Sequence, residues 1–596
     1  MKVLLMSLNS KFIHTNLAIQ SLRKYYETYH GSSEIVLEVK EYTINNDMDS
    51  VLRDVSKGGY THIFASAYIW NIEPLSLLFS NFSKINQKTK IIFGGPEVTY
   101  NASEQLELHA FLHAVIFGEG EQIFEELLGN MAKYGDNLGF EKTKGVAYRM
   151  NKLQSSDIVI NSMMPLIEPL DLIPFPYDTL ESFENRIIYY ESARGCPYSC
   201  SYCLSSASQG VRYLGFERVK SDLEFFLVNK ANQVKFVDRT FNANKRHALP
   251  ILQYLIENDN GITNFHFEIT ATLLDEDYFN VLRNARPGLF QFEIGIQTTY
   301  QPTMYAIHRP IDFDMLKLVC HKLIEMGGIH IHVDLIAGLP FETYARFLKS
   351  FDDVYEIGAE QLQLGFLKIL KGTLLSQEIS QHGYKIRSEA PYEVLCNNYI
   401  SFDELSTLKD IETLVEYYPN SGKFKHALNY FMNKMNVSPS SFFVKMSHYY
   451  NEKAYFSSPI GTFRLYEILY EYYISIYDES DLFKDLLKVD YYYARLKGQR
   501  DLFNYIEVPN FNSKRLEILK DNAFIATHFG IQANETGKHL LKNVAFITLK
   551  YDIMALIKNG YREGDEQTHL QLSVIMFNYL DLNDVKMVGV DLDKFM

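Results

Sequence analysis

Residues 187–203 read IIYYESARGCPYSCSYC. The opening run is β-branched and aromatic, the makeup of a short buried strand. It leads into a loop that carries Cys196, Cys200 and Cys203. The same unit recurs downstream. Strand-like runs cover 234–238, 265–270, 290–296, 330–337 and 361–367. Helix-period stretches separate them, such as 313–326, where Met315, Leu316, Val319, Leu323 and Ile324 share a face. Six such βα units predict a parallel sheet curled into a partial (β/α)6 barrel with its function at the C-terminal rim. The rim is polar: after the cysteine loop come Asp238-Arg239-Thr240, Glu268 and Thr270, Glu293 and Gln297, Gly338-Leu339-Pro340, and Lys368.

Upstream lies a second alternation. Short apolar runs at 3–6, 35–39, 63–67, 91–93 and 115–117 are separated by helix-period stretches, the first opening at Asn16, an expected N-cap. Five strands alternating with helices predict a doubly wound parallel sheet, whose ligands bind beyond the carboxyl ends of the strands. Those ends, at 9–16, 66–71, 94–97 and 118–121, are small, polar and turn-prone. Residues 161–178, NSMMPLIEPLDLIPFPYD, carry four prolines and read as an extended linker. Past residue 372 the alternation stops. Helical period in Leu465, Ile468, Leu469 and Tyr472 predicts a mostly helical domain, with its tyrosine stripes read as amphipathic core.

A chain of 596 residues exceeds one hydrophobic core. Its 47% hydrophobic and 22% charged residues are those of an ordinary globular protein. No stretch reaches the roughly 20 apolar residues of a membrane helix. The start, MKVLLMSLNSKF, reads as a first strand rather than a signal peptide, so a cytoplasmic location is expected. The net charge of −15 opposes non-specific binding to phosphate backbones. Nucleic acid is therefore unsupported as a partner; Lys514-Arg515 and residues 497–500 read as solvated helix faces.

Three clustered cysteines among a total of five do not form a secreted disulfide framework. The spacing C-x3-C-x2-C supplies three thiolates; a cubane takes four, so three leave one iron open. A structural zinc site is the alternative, but it would close its tetrahedron with a fourth ligand at finger-like spacing. Cys320 and Cys396 stand far away in the sequence.

This loop, after the first strand of a βα array and with Tyr202 before its last cysteine, resembles the radical SAM superfamily (SAM is S-adenosylmethionine). The likeness continues through Phe236-Val237-Asp238-Arg239-Thr240-Phe241, Glu293-Ile294-Gly295-Ile296-Gln297 with His308-Arg309 downstream, and Asp334 to Pro340. It implies a [4Fe–4S] cluster on Cys196, Cys200 and Cys203, whose open iron chelates SAM, cleavage to a 5′-deoxyadenosyl radical, and SAM contacts from Tyr202, Asp238, Glu268 and Gln297. The alternative for Glu268 and Glu293 is an ion pair at the rim.

The N-terminal sheet joined by a proline-rich segment to such a barrel resembles the cobalamin-binding class. That resemblance implies cobalamin contacts from Asn9, His14, Ser66, Trp70, Asn71, Gly94, Gly95, Glu97, Gly118 and Glu119. The D-x-H-x-x-G pattern of histidine-ligated cobalamin domains is broken here, with Phe12 and Leu17 at its outer positions, so a state without a protein ligand on cobalt is expected. With the segment 365–373 at the join, the whole chain resembles the subfamily with a DUF4080-type C-terminal domain. The expected organisation is a cobalamin-binding Rossmann-like domain (1–140), a linker (141–185), a radical SAM barrel (186–371) and a helical domain (372–596). The expected activity is methylation of an unactivated carbon on an unknown small molecule or peptide, with electrons from a flavodoxin- or ferredoxin-like donor. Cyclisation or rearrangement without methyl transfer, and a cobalamin- or redox-sensing module, are the other readings.

Overall fold

The computed structural model describes residues 1–31, 34–150, 158–207, 210–494, 502–503, 511–529, 543–560, 569–579 and 585–590. The chain divides into two compact units, one of residues 1–359 with 363–405 and one of residues 360–362 with 406–596.

The first unit opens with a sheet of β1 (Lys2–Asn9), β2 (Val36–Thr43), β3 (His62–Ser66), β4 (Lys90–Gly94), β5 (Ala114–Ile116), β6 (Val146–Arg149) and β7 (Ile158–Ile160). Their order is β2-β1-β3-β4-β5-β6-β7. The pairs among β1 to β5 are parallel, as the alternation predicts. β6 and β7 add antiparallel, inside the span read as linker. Both faces are covered, and two apolar clusters form, one around Leu4, Met6, Phe79 and Phe93 and the other around Val3, Leu5, Phe124 and Tyr148. Asn16 caps the helix Leu17–Tyr29, its side chain accepting from Ile19 N at 3.1 Å.

The second array starts at β8 (Ile188–Tyr190), passes through the hairpin β9 (Ala193–Gly195) and β10 (Val211–Tyr213), and returns as β11 (Gln233–Phe236). β12 (Asn264–Ile269), β13 (Phe290–Gln297), β14 (His330–Ala337) and β15 (Gln361–Phe366) follow. The order β15-β14-β13-β12-β11-β8 gives the expected six-stranded sheet. The cysteines occupy the tip of the β9–β10 hairpin, a device the periodicity did not reveal. The first unit runs past the boundary expected at 372, through the small hairpin β16 (Lys385–Ile386) and β17 (Val394–Cys396), because this segment bonds back onto the barrel: Leu375 N donates to Ser201 O at 2.9 Å.

The second unit is mostly helical, with Leu465, Tyr466, Ile468, Leu469, Tyr472 and Tyr473 buried on one helix. Tyr418 and Tyr450 join hydroxyls at 2.5 Å inside it. These tyrosines are core. A three-stranded antiparallel sheet, β18 (Val544–Leu549), β19 (Ser573–Asn578) and β20 (Lys586–Val590), was not foreseen. Lys514 and Arg515 are half-buried on the helix Phe511–Ile518, whereas residues 497–500 lie outside the described residues. Among the described residues no helix is long and apolar enough to cross a membrane.

Candidate functional site

A cavity of about 710 Å³ lies where the strand ends of the first sheet meet the rim of the barrel. This is within the usual range for ligand sites, about 300–1,000 Å³. Asn9, His14, Ser66, Trp70, Gly94, Gly95, Gly118 and Glu119 all line it, as do Tyr189, Glu191 and Arg239 from the barrel. Gly195 and Ser205, on either side of the three cysteines, line the same space.

The backbone explains this rim. Gly95 has φ +117°, and a Cβ there would fall 2.5 Å from Ala67 O, so only glycine lets the β3 and β4 ends approach each other. Gly118, at φ +93°, faces open space and brings bare backbone to the cavity wall. Trp70 stacks on Tyr68 with centroids 4.4 Å apart and bonds Leu8 O through Nε1 at 3.3 Å, a flat aromatic surface beside the glycines. Asn9 bonds His14 O and Glu41 through Nδ2. His14 Nδ1 stands 2.7 Å from the Tyr189 hydroxyl. Burial and nearby Lys11, Lys235 and Arg186 lower its pKa and keep the ring neutral.

Two expected cavity residues turn elsewhere. Asn71 is fully buried and bonds Leu8 O, Ser66 O and Tyr68 N, tying the β1 and β3 loops together. Glu97 accepts from Tyr392 at 2.6 Å and from Lys371 at 3.4 Å, which fastens the 371–392 segment to the first sheet. Neither lines the cavity.

In the cysteine loop, Cys200 is buried and receives Arg309 Nη1 at 3.6 Å, while Cys196 Sγ lies 3.9 Å from Thr240 Oγ1. Burial pushes the Cys196 thiol up. Among the described residues no three His, Cys, Asp or Glu groups converge as for a single metal ion. A cubane asks for something else, because each thiolate binds a different iron and the sulfurs need not meet at a point. Three thiols on one loop beside a cavity fit that donor set.

Asp238 is 1% exposed and sits behind this loop rather than in the cavity. It accepts from Ser192 N at 2.8 Å, Ala193 N at 3.1 Å and Ser192 Oγ at 2.5 Å, with His247 Nε2 2.9 Å from that hydroxyl. Burial lifts its pKa to about 7 against these donors. The carboxylate expected to touch SAM is a support for the loop.

Inside the barrel the side chains form a polar lumen. Lys235 Nζ and His266 Nε2 approach Glu293 Oε2 at 2.8 and 2.9 Å, so Glu293 is the ion-paired acid. Burial opposes its charge, but His266 and Lys235 prevail and hold it at about 2. Among the described residues Glu268 has no such pair, and burial raises it. Asp334 Oδ1, 3.5 Å from His332 Nε2, and Gln297 Oε1 are buried oxygens without a hydrogen bond among the described residues. Burial and the carboxylates Glu293 and Glu268 push Asp334 up to about 8. Gln297 has φ +72°, and its amide lies over Gly295, where a Cβ would come within 2.3 Å. Tyr202 is half-buried beside Cys200 and Arg309. Buried oxygens left without hydrogen bonds along the barrel strands suit a ligand with hydroxyl and ammonium donors, as SAM has. Arg309, Asp334, Tyr68 and Tyr189 were not singled out as ligand contacts in the sequence; Arg309 and Asp334 stand in the quoted motifs and Tyr68 in the 66–71 strand end, whereas nothing local finds Tyr189.

The family model described as B12 binding domain matches residues 3–128, that of the Radical SAM superfamily residues 190–354, and that of a protein of unknown function (DUF4080) residues 380–571. An uncharacterized methyltransferase, PH0819 of Pyrococcus horikoshii, is 28% identical over 46% of this chain and 60% of its own. The cobalamin-dependent radical SAM methyltransferase TokK of Streptomyces tokunonensis is 24% identical over 68% of this chain and 60% of its own. The chain thus spans about 60% of the length of these curated relatives. The solved structure of OxsB, a cobalamin-dependent S-adenosylmethionine radical enzyme with aqua-cobalamin and S-adenosylmethionine bound, superposes with a TM-score of 0.55 at 13% identity, covering 95% of this chain and 82% of that one. That likeness is one of fold.

Proposed function

Because one chain carries a B12 binding domain, a radical SAM domain and a DUF4080 region, we propose that it is a cobalamin-dependent radical SAM enzyme methylating an unactivated carbon of a small molecule or peptide. The observation that carries this reading is the single cavity lined both by the strand ends of the first sheet and by residues flanking the cysteines. Beside it, Cys196, Cys200 and Cys203 would hold a [4Fe–4S] cluster able to bind SAM, and Arg309 donates toward Cys200. Glu268 and Gln297 would receive the polar groups of SAM, and Tyr202, beside Cys200 and Arg309, would border it. Asn9, His14, Ser66, Trp70, Gly94, Gly95 and Gly118, which line the cavity, would cradle the corrin. When bound, the cluster supplies the electron that cleaves SAM reductively, and cobalamin carries the methyl group. The electron comes from a flavodoxin- or ferredoxin-like protein.

The test is anaerobic purification with cobalamin supplied, followed by metal analysis and product analysis. About four irons and one cobalt per chain are expected. The Cys196→Ala/Cys200→Ala/Cys203→Ala variant is expected to lose the iron and all 5′-deoxyadenosine formation while keeping its cobalt. Iron without cobalt would remove the methyltransferase reading. 5′-Deoxyadenosine without a methylated product would turn it toward cyclisation or rearrangement. Cobalt and iron with no SAM cleavage under strong reductant would leave a sensing module.

A further inference from the structure

Arg194 stands on β9 two residues ahead of Cys196 and gathers three carboxylates. Its guanidinium lies 2.8 Å from Glu121, 2.7 Å from Glu191 and 3.5 Å from Glu119. Directly across the hairpin in register is Arg212, which also grips Glu119. Glu119 accepts from Ile167 N as well, at 3.0 Å, and Glu121 from Ser21 Oγ at 3.1 Å. Two arginines, one on each arm of the cysteine hairpin, therefore hold the same turn of the first sheet, the 118–121 turn that forms one wall of the cavity.

Side by side, two guanidinium groups repel; they coexist here because the turn presents its carboxylates between them. The carboxylate of Glu121 is only 7% exposed and that of Glu119 14%. Burial opposes the Arg194 charge, yet Glu121 and Glu191 more than restore it. A buried charge cannot be left behind unpaired without a large penalty, so the turn and the hairpin have to move as one body. Glu119 and Glu121 thus act as anchor points of a strut along the cavity wall, beside the bare backbone of Gly118.

We propose that Arg194 is a positioning residue through which the 118–121 turn sets the cysteine loop, so that a corrin in the cavity raises the affinity of the cluster site for SAM. The inference rests on the functional reading above. Linkage requires the converse: SAM raises the affinity for the corrin by the same factor.

The experiment measures the dissociation constant of SAM for the cluster-loaded full chain with and without hydroxocobalamin. In the unaltered protein the ratio is expected to be at least about fivefold, and in Arg194→Met to fall within about twofold of one. Arg194→Lys, which keeps a charge but cannot span three carboxylates, is expected in between. If Arg194→Met does not retain its cluster, Glu121→Gln serves, because it weakens the strut from the turn side and leaves the hairpin intact. An undiminished ratio in Arg194→Met, or in Glu121→Gln when that variant is used, overturns the strut, as does a ratio of one in the unaltered protein with both cofactors bound. Failure of the unaltered protein to take up iron or cobalt defeats instead the functional reading on which the strut depends. Loss of affinity alone, with the ratio kept, marks Arg194 as merely structural and overturns the proposal.

Discussion

β1 and β13 are both eight-residue parallel strands under helices, yet they use their two faces differently. In β1, Val3, Leu4 and Met6 are 0% exposed and Leu5 1%, whichever face they point to. In β13, Phe290, Phe292, Ile294 and Ile296 are buried while Gln291, Glu293, Gly295 and Gln297 between them are only half-buried. A flat doubly wound sheet has helices on both sides and can be apolar twice over. A curled sheet packs its outer face under helices and keeps the inner one for a lumen, here lined by Lys235, His266, Glu293 and Asp334. The first sheet can therefore place chemistry only at its strand ends, whereas the barrel places it along its strands as well.

The sharpest way to break that contrast is to truncate neighbours. Leu4→Ala and Leu5→Ala are each expected to cost about 2–5 kcal/mol, since both remove core volume. On β13 the neighbours should diverge, Phe292→Ala costing about 3–5 kcal/mol. Gln291→Ala there should cost under about 1 kcal/mol, in the range of a lost weak hydrogen bond. Thermal-unfolding midpoints of the four variants measure it, compared variant by variant because a chain of several domains need not unfold in two states. Equal losses at Phe292 and Gln291 would mean that the lumen is a second core.

A middling effect is expected where the barrel supports its own rim. Asp238→Ala would strand the Ser192 and Ala193 amides in a buried place, at about 1–3 kcal/mol. Iron retention should fall with it, because those residues lead into Cys196. Asp238→Asn keeps an oxygen for both amides and should restore most of the stability and iron. If the asparagine variant binds iron normally but loses SAM affinity outright, Asp238 touches SAM after all.

What could be read in the sequence follows from the same contrast. Continuous apolar runs give the first sheet and alternating ones the barrel, since period and composition are local. The cysteine triad is equally local. Which way a polar residue at a strand end turns is not: Asn71, Glu97 and Asp238 look like ligand contacts, but each has a partner, Leu8, Tyr392 or Ser192, that only the fold brings near. Arg194 carries no sign of its role, because Glu119 and Glu121 are more than seventy positions away. β6 and β7 are too short to stand out from a proline-rich region, and β18 to β20 follow a helical stretch whose period they do not share.

The last contrast to test is a pH slope confined to the polar lumen. His332 lies on β14 with Asp334 at 3.5 Å and with Glu293, His266, Lys235 and His330 around it. Burial is the main cause that lowers its pKa from 6.5 to about 4. Between those values the unfolded chain takes up a proton that the folded chain refuses, so stability is complete above about 6.5 and declines as pH falls toward 4. One such proton contributes at most about 1.4 kcal/mol per pH unit. His247, also lowered by burial to about 4, adds a slope of the same sign behind the cysteine loop. Asp334, raised to about 8, works in the opposite sense, losing stability as pH rises from 3.8. His332→Gln should therefore flatten the acid side of the unfolding-midpoint profile between pH 6.5 and 4 and leave the alkaline side as it was. An unchanged acid limb would mean that water reaches the lumen and the histidine titrates as it does in the unfolded chain, which would make the barrel interior an open channel instead of a dry, charge-paired floor.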